Sequence, residues 1–193
     1  MYYSIYKNVR NDSWQCLLDS EISSLPVDVL SIARKAGVKV IKNSILNELS
    51  PGEAAKTYHD GDGWFIIYDN KNPTEVSRFA IAHELGHIFL GHATTFGKYS
   101  NLREFGKKPK SEQQADLFAI RLLSPACVLM GLGIRSSEDI ARFCRMPREF
   151  AEARSKRMKK LYEIDMFFTD PLEVELFNNF KDYILSVKKM TET

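Results

Sequence analysis

His83, Glu84 and His87 are the residues of this chain whose types and spacing speak most directly of chemistry. On an α-helix, residues four apart lie about 40° from one another around the axis, so His83 and His87 project the same way and can grip one metal ion. Together with Glu84 they form an H-E-x-x-H arrangement, in which two imidazoles bind Zn²⁺ while the intervening carboxylate, which is not a ligand, activates a water for peptide hydrolysis. The competing reading is an amphipathic core helix whose histidines only satisfy local hydrogen bonds. The context favours the chemical one: polar Thr74, Glu75 and Ser77 precede the helix, Ile81, Leu85, Ile88 and Phe89 recur at helical spacing, and Gly91 offers a C-terminal stop.

A catalytic zinc takes three protein ligands and leaves its fourth position to water, so the two imidazoles need a partner. The extended pattern H-E-x-x-H-x-x-G-x-x-H is excluded, because Leu90 and Ala93 stand where it demands Gly and His. His92 lies nine residues beyond His83, about 180° around the axis if the helix continued, and would face away. His59 falls on an earlier strand and reads as a surface or hairpin residue. Glu112 is the stronger candidate. It stands four residues before Asp116, so on a helix one carboxylate can ligate zinc while the other accepts the remaining N–H of a ligand histidine. Alone, this pair would read as a solvated acidic face at a helix start, favoured there by the helix dipole. The H-E-x-x-H upstream tips the balance to ligation.

The elements that must position these groups follow from periodicity and turn chemistry. Residues 1–24 suit a short helix capped by Asn11, Asp12 or Ser13, with Trp14, Leu17, Leu18 and Ile22 inward. A second helix has Pro26 near its first turn, Val29, Leu30, Ile32 and Ala33 as its stripe, and Gly37 as its stop. Strands are expected at 38–41, 54–59 and 64–68, the last two joined by Asp60-Gly61-Asp62-Gly63, with 42–53 a loop. The polar run from Gly91 to Pro109 reads as an exposed loop of lid length. Ser111 and Gln114 form a capping box for a helix that ends at Ser124-Pro125. Two helices joined at Met146-Pro147 fill 136–162, and Pro171 opens a final amphipathic helix carrying Val174, Phe177, Phe180, Ile184 and Val187.

With 193 residues, 44% of them hydrophobic, the chain can build one well-buried core with an accessory segment, divided here into 1–135 and a helical extension at 136–193. No apolar run approaches the ~20 residues a membrane span requires, and the N-terminus lacks the apolar segment of a secretion signal, so a cytoplasmic location is expected. Cys16, Cys127 and Cys144 are widely spaced, with no C-x-x-C pair, and read as ordinary buried thiols. The net charge of +2 hides an asymmetry: residues 142–160 carry eight basic and two acidic side chains, residues 161–193 three basic and seven acidic.

These residues resemble the ImmA/IrrE family of bacterial metallopeptidases, small gluzincins. The likeness includes Ser24 to Asp28, Trp64 to Tyr68, Arg78 to His87, and Glu112 to Pro125, the last similar to the family's E-x-x-A-D-x-F-A-x-x-L-L-x-P. Ser124 stands where a Met often precedes the proline, a packing change. The resemblance implies an α+β fold, a small twisted sheet packed on a zinc helix and a glutamate helix, with an appended helix-turn-helix-like segment. It implies His83, His87 and Glu112 as zinc ligands, Glu84 as general base and Asp116 as outer partner. It also implies a protein substrate, a helix-turn-helix transcriptional repressor of a mobile element or stress regulon. The alternative is an antirepressor or toxin-antitoxin partner that binds its target without cleaving it.

Hydrolysis needs the substrate held extended, and Trp64 to Tyr68 is the expected edge strand for it, with an internal strand as the alternative. The oxyanion needs a donor, with His92, Tyr99 and Arg103 as candidates. The basic helix pair could contact nucleic acid through Arg142, Arg145, Arg148 and their neighbours, but without a pair of base-reading side chains the favoured reading is core completion, the basic face meeting the acidic tail or an acidic partner.

Overall fold

In the computed structural model, residues 2–92 and 109–191 are described. Ten helices and three strands occupy them, in an α+β arrangement of the minigluzincin kind. The first helix, α1 (Tyr2–Asp19), is longer than expected and passes straight through Asn11, Asp12 and Ser13, which therefore cap nothing. Ser13 tolerates the helix interior because its hydroxyl donates to the Arg10 carbonyl at 2.8 Å, satisfying itself on the turn before. The next helix, α2 (Val29–Lys35), begins after Pro26 rather than on it: Asp28 is the N-cap, its carboxylate accepting from the backbone N–H groups of Leu30 and Ser31.

The sheet comprises β1 (Lys39–Lys42), β2 (Ala55–His59) and β3 (Trp64–Tyr68) in the order β1-β3-β2. The Asp-Gly turn forms as expected, Asp60 accepting from the N–H groups of Asp62 and Gly63. Between β1 and β2 the loop contains a single helical turn, α3 (Asn43–Leu46). Strand β3 pairs parallel with β1 and antiparallel with β2, so Trp64 to Tyr68 is the central strand and cannot be the expected edge. Its buried Ile66 and Ile67 match that place, since a central strand is covered where an edge need not be. Among the described strands, the edges are β1 and β2.

Helix α4 (Thr74–Phe89) carries the H-E-x-x-H stretch and packs on the sheet and on α5 (Lys110–Leu123). Phe79, Ile81, Ala82 and Leu85 bury one side of α4; Ala115, Phe118, Ala119 and Leu122 bury the facing side of α5. The two helices approach closely at Gly86, where a Cβ would lie 3.2 Å from the Ala115 Cα and 3.2 Å from the Phe118 Cβ. The expected capping box at Ser111 and Gln114 does not form: α5 starts one residue earlier, with Pro109 as its N-cap residue and no side-chain cap. Pro fixes the entry dihedral, so the first turn is set without it.

After α5 come a short helix not foreseen, α6 (Ala126–Gly131), and the pair α7 (Ser137–Cys144) and α8 (Arg148–Glu163). Phe150 of α8 stacks on Phe79 of α4, ring centroids 3.6 Å apart. Arg142 and Arg148 find their acids within the same helix pair, in Asp139, Glu138 and Glu152. The final helix is broken at Phe180 into α9 (Pro171–Asn179) and α10 (Lys181–Thr191). That break rotates the stripe: Leu176, Phe180 and Ile184 are buried, whereas Val174 is left 40% exposed.

One apolar cluster runs through the molecule, from Val9 and Trp14 through Leu85 and Phe118 to Met158 and Phe180. Residues 110–131 do reach the length and hydropathy of a membrane span, against expectation, yet 72% of that stretch's most apolar window is buried inside the fold.

Candidate metal centre

Helix α4 presents His83 and His87 from successive turns toward α5, and the close contact at Gly86 brings the first turns of α5 within their reach. Glu112 and Asp116 flank Ala115, the residue against which Gly86 packs, so the helix crossing itself delivers both carboxylates. The Nε2 atoms of His83 and His87 are 3.0 Å apart. Glu112 places Oε2 at 3.4 Å from the His83 Nε2 and Oε1 at 3.2 Å from the His87 Nε2. Among the described residues, His83, His87 and Glu112 are the one group of three whose ligand atoms converge as a metal would require.

The donor set fits an ion. A tetrahedral zinc with bonds of about 2.0–2.1 Å separates its ligand atoms by about 3.3 Å; the two Nε2 atoms are 3.0 Å apart and each has a different oxygen of Glu112 at 3.2–3.4 Å, so the three side chains converge on one ion-sized centre. Two nitrogens and one carboxylate oxygen also match the ligand chemistry of a catalytic site, which leaves a position open.

Around the three atoms lies a further layer. Asp116 Oδ1 is 2.9 Å from the His83 Nδ1, so a proton on Nδ1 is held by the carboxylate and the Nε2 lone pair is left facing the centre. Thr57 of β2 donates its hydroxyl to the Glu84 Oε2 at 2.6 Å, which fixes the carboxylate between the sheet and the histidines. Burial opposes charge on His83, but its bonds to Asp116 and Glu112 and the charge of Glu84 outweigh it and raise its pKa to about 9. Bonds from His83 and then His87 hold Glu112 far below the usual carboxylate range. Burial, and then the neighbouring His87, push His92 down.

His92 is where the helical projection misleads. Helix α4 does not continue: Gly91 adopts φ +69°, and the His92 N–H returns to the His87 carbonyl at 2.9 Å. His92 therefore comes back beside the site instead of facing away. Its Nδ1 lies 3.3 Å from the His87 Nδ1 and its Nε2 lies 3.1 Å from the Gln114 Oε1. It is not among the three converging groups, and with both ring nitrogens engaged it does not suit the expected role of oxyanion donor. The other two candidates for that role, Tyr99 and Arg103, lie outside the described residues, as does most of the expected lid loop. His59 ends β2, its ring edge-on to Trp64 at 4.5 Å, apart from the centre. Thr57 and Gln114 were not foreseen. The glycine directly after the helix was the available signal for His92, and nothing in sequence marks Thr57 beyond its strand position.

A small sheet over two helices that cross at a His-His-Glu cluster defines the framework of a metallopeptidase. A family model described as the IrrE N-terminal-like domain, peptidase M78, matches residues 33–156, and the chain belongs to that family. Its function is accordingly of the metallopeptidase type. No curated protein matches the chain.

Proposed function

We propose that this protein is a zinc endopeptidase of the gluzincin type that cuts a helix-turn-helix transcriptional repressor in the cytoplasm. The observation that carries the peptidase reading is the convergence of His83, His87 and Glu112, whose nearest polar atoms lie 3.0–3.4 Å apart, beside a Glu84 carboxylate tied down by Thr57. When bound, zinc supplies Lewis acidity to the attacking water and to the peptide carbonyl. Glu84 takes a proton from that water and hands it to the leaving amine, which a non-catalytic binding partner would have no need to do. Asp116 keeps His83 in the tautomer that offers Nε2 to the ion.

The extended peptide is held on the outer edge of β2. That strand pairs only with β3 among the described strands, and its Thr57 already touches Glu84, so a peptide laid on this edge passes the proton-carrying carboxylate. A repressor is the substrate class supported by the family resemblance alone.

The test is to incubate zinc-loaded protein with the repressor encoded beside it, with and without chelator, and to look for two fragments by mass. Cleavage that chelator stops, and that Glu84→Gln reduces at least about 10³-fold while zinc content is unchanged, is expected. Binding of an intact repressor, or turnover untouched by Glu84→Gln, overturns the reading.

A further inference from the structure

The two imidazoles of the centre are supported unequally. His83 has a carboxylate on its outer nitrogen; the His87 outer nitrogen has beside it another imidazole, His92, which is bound in turn to an amide, Gln114. Each ring nitrogen in this row is a donor or an acceptor according to tautomer, and requiring one end to face an ion determines the rest. For the His87 Nε2 to offer a lone pair, its proton must sit on Nδ1. That N–H then points at the His92 Nδ1, which must accept, so the His92 proton must sit on Nε2. There it meets the Gln114 Oε1, an acceptor at 3.1 Å. Every bond in the row is satisfied by one proton arrangement, and it is the arrangement a metal ligand needs.

We propose that His92 and Gln114 are positioning residues that lock the His87 tautomer and ring orientation for metal binding, the counterpart on His87 of what Asp116 does on His83. The inference rests on the metal-site reading above. Three features of the chain converge on it. The Gly91 turn exists at the cost of ending α4, and its effect is to return His92 to the site. Gln114 is released from the capping role its sequence position offers and spends its oxygen on His92 instead. And His87 is 3% exposed, so in the folded protein its ring is held by protein groups and not by bulk water.

The choice of imidazole over carboxylate has a reason in charge. Glu84, Glu112 and Asp116 already put three carboxylates beside the histidine pair, and a fourth on His87 would add like charge at close range. A neutral ring accepts the same hydrogen bond without that cost.

Two measurements test this, neither of them catalytic. Zinc affinity is read by competition with a chromophoric chelator, for the full chain and for His92→Leu, His92→Asn, Gln114→Leu and Gln114→Glu. His92→Leu should weaken zinc roughly 10- to 100-fold, the range found when an outer partner of a metal ligand is lost. His92→Asn, which keeps an acceptor oxygen, should recover part of the loss. Gln114→Leu should weaken binding less than His92→Leu, and Gln114→Glu should retain it. Long-range ¹H–¹⁵N correlation spectra of the zinc-loaded protein should show His87 protonated on Nδ1 and His92 on Nε2. Gln114, on the surface side of the row, gives variants that test the relay even if His92→Leu folds poorly. Wild-type zinc affinity in both leucine variants, or His92 protonated on Nδ1, overturns the relay and leaves the metal site standing. Failure of the unaltered chain to bind zinc overturns both.

Discussion

The hydroxyl of Thr57 is the smallest group in the site with a defined task. It reaches Glu84 at 2.6 Å from a different element, the sheet, and so sets the carboxylate relative to the strand edge on which a peptide would lie. Thr57→Val removes that donor at nearly constant volume. Turnover should fall by about 10-fold with zinc affinity unchanged, a split that separates proton handling from metal binding; equal losses in both would show instead that the strand had shifted. His83 carries a pH dependence of its own. In the metal-free protein its pKa is raised to about 9 from an ordinary 6.5, so the stability it contributes is fully present below about pH 6.5 and is lost as pH rises toward 9. The amplitude is at most of order 3 kcal/mol. Thermal melts of metal-free protein between pH 6 and 9.5 should show this decline, and zinc loading should abolish it, because the same nitrogen then holds the ion. At this scale the histidine spacing was legible because a helix converts i and i+4 into a shared face by geometry alone. The partners Thr57 and Gln114 were not, because nothing local in sequence says which strand residue or which helix turn will meet a given side chain.

Between α4 and α5 the decisive contact is made by a residue with no side chain. A methyl at Gly86 would sit 3.2 Å from the Ala115 Cα and the Phe118 Cβ of α5, an unusually tight approach that is relieved only if the facing helix shifts by a few tenths of an ångström. Gly86→Ala should therefore destabilise the protein by about 1–3 kcal/mol and, since separating the helices carries Glu112 away from the imidazoles, weaken zinc as well. Chemical denaturation and chelator competition on the same variant would show both; a stability loss with unchanged zinc affinity would mean that the strain is absorbed elsewhere. The elements themselves were largely readable: Asp60 to Gly63 marks its hairpin by turn chemistry, and Pro125 ends α5 because it cannot continue it. What escaped was order across the sheet. Strand β3 precedes the metal helix in the chain and looked like an edge, but β1 joins it in parallel from some distance back, a pairing that no local pattern announces. His92 escaped for a related reason: extrapolating a helix by rotation assumes that the helix goes on, and Gly91 stops it.

On the scale of the whole molecule, residues far apart in sequence share one interior. Ile140, Met146, Met158 and Leu161 lie in the same buried cluster as Leu85 and Phe118, and Leu176, Phe180 and Ile184 close it from the C-terminal side. Gly131 shows how tightly that closure fits, since a Cβ there would come within 2.7 Å of the Phe177 ring. The basic side chains of α8 stand out in sequence, but its apolar positions favour core completion, and Ala151, Met158 and Leu161 are indeed buried, joined by Arg154, whose guanidinium donates to the Ser124 carbonyl. The stacked rings of Phe79 and Phe150 add a consequence for mechanics. Phe79 sits one turn before His83, and its ring lies flat against that of a residue on the basic helix. Helix α8 thus meets the helix that bears the two imidazoles through this ring-on-ring contact, and shortening Phe150 to Ala would remove it.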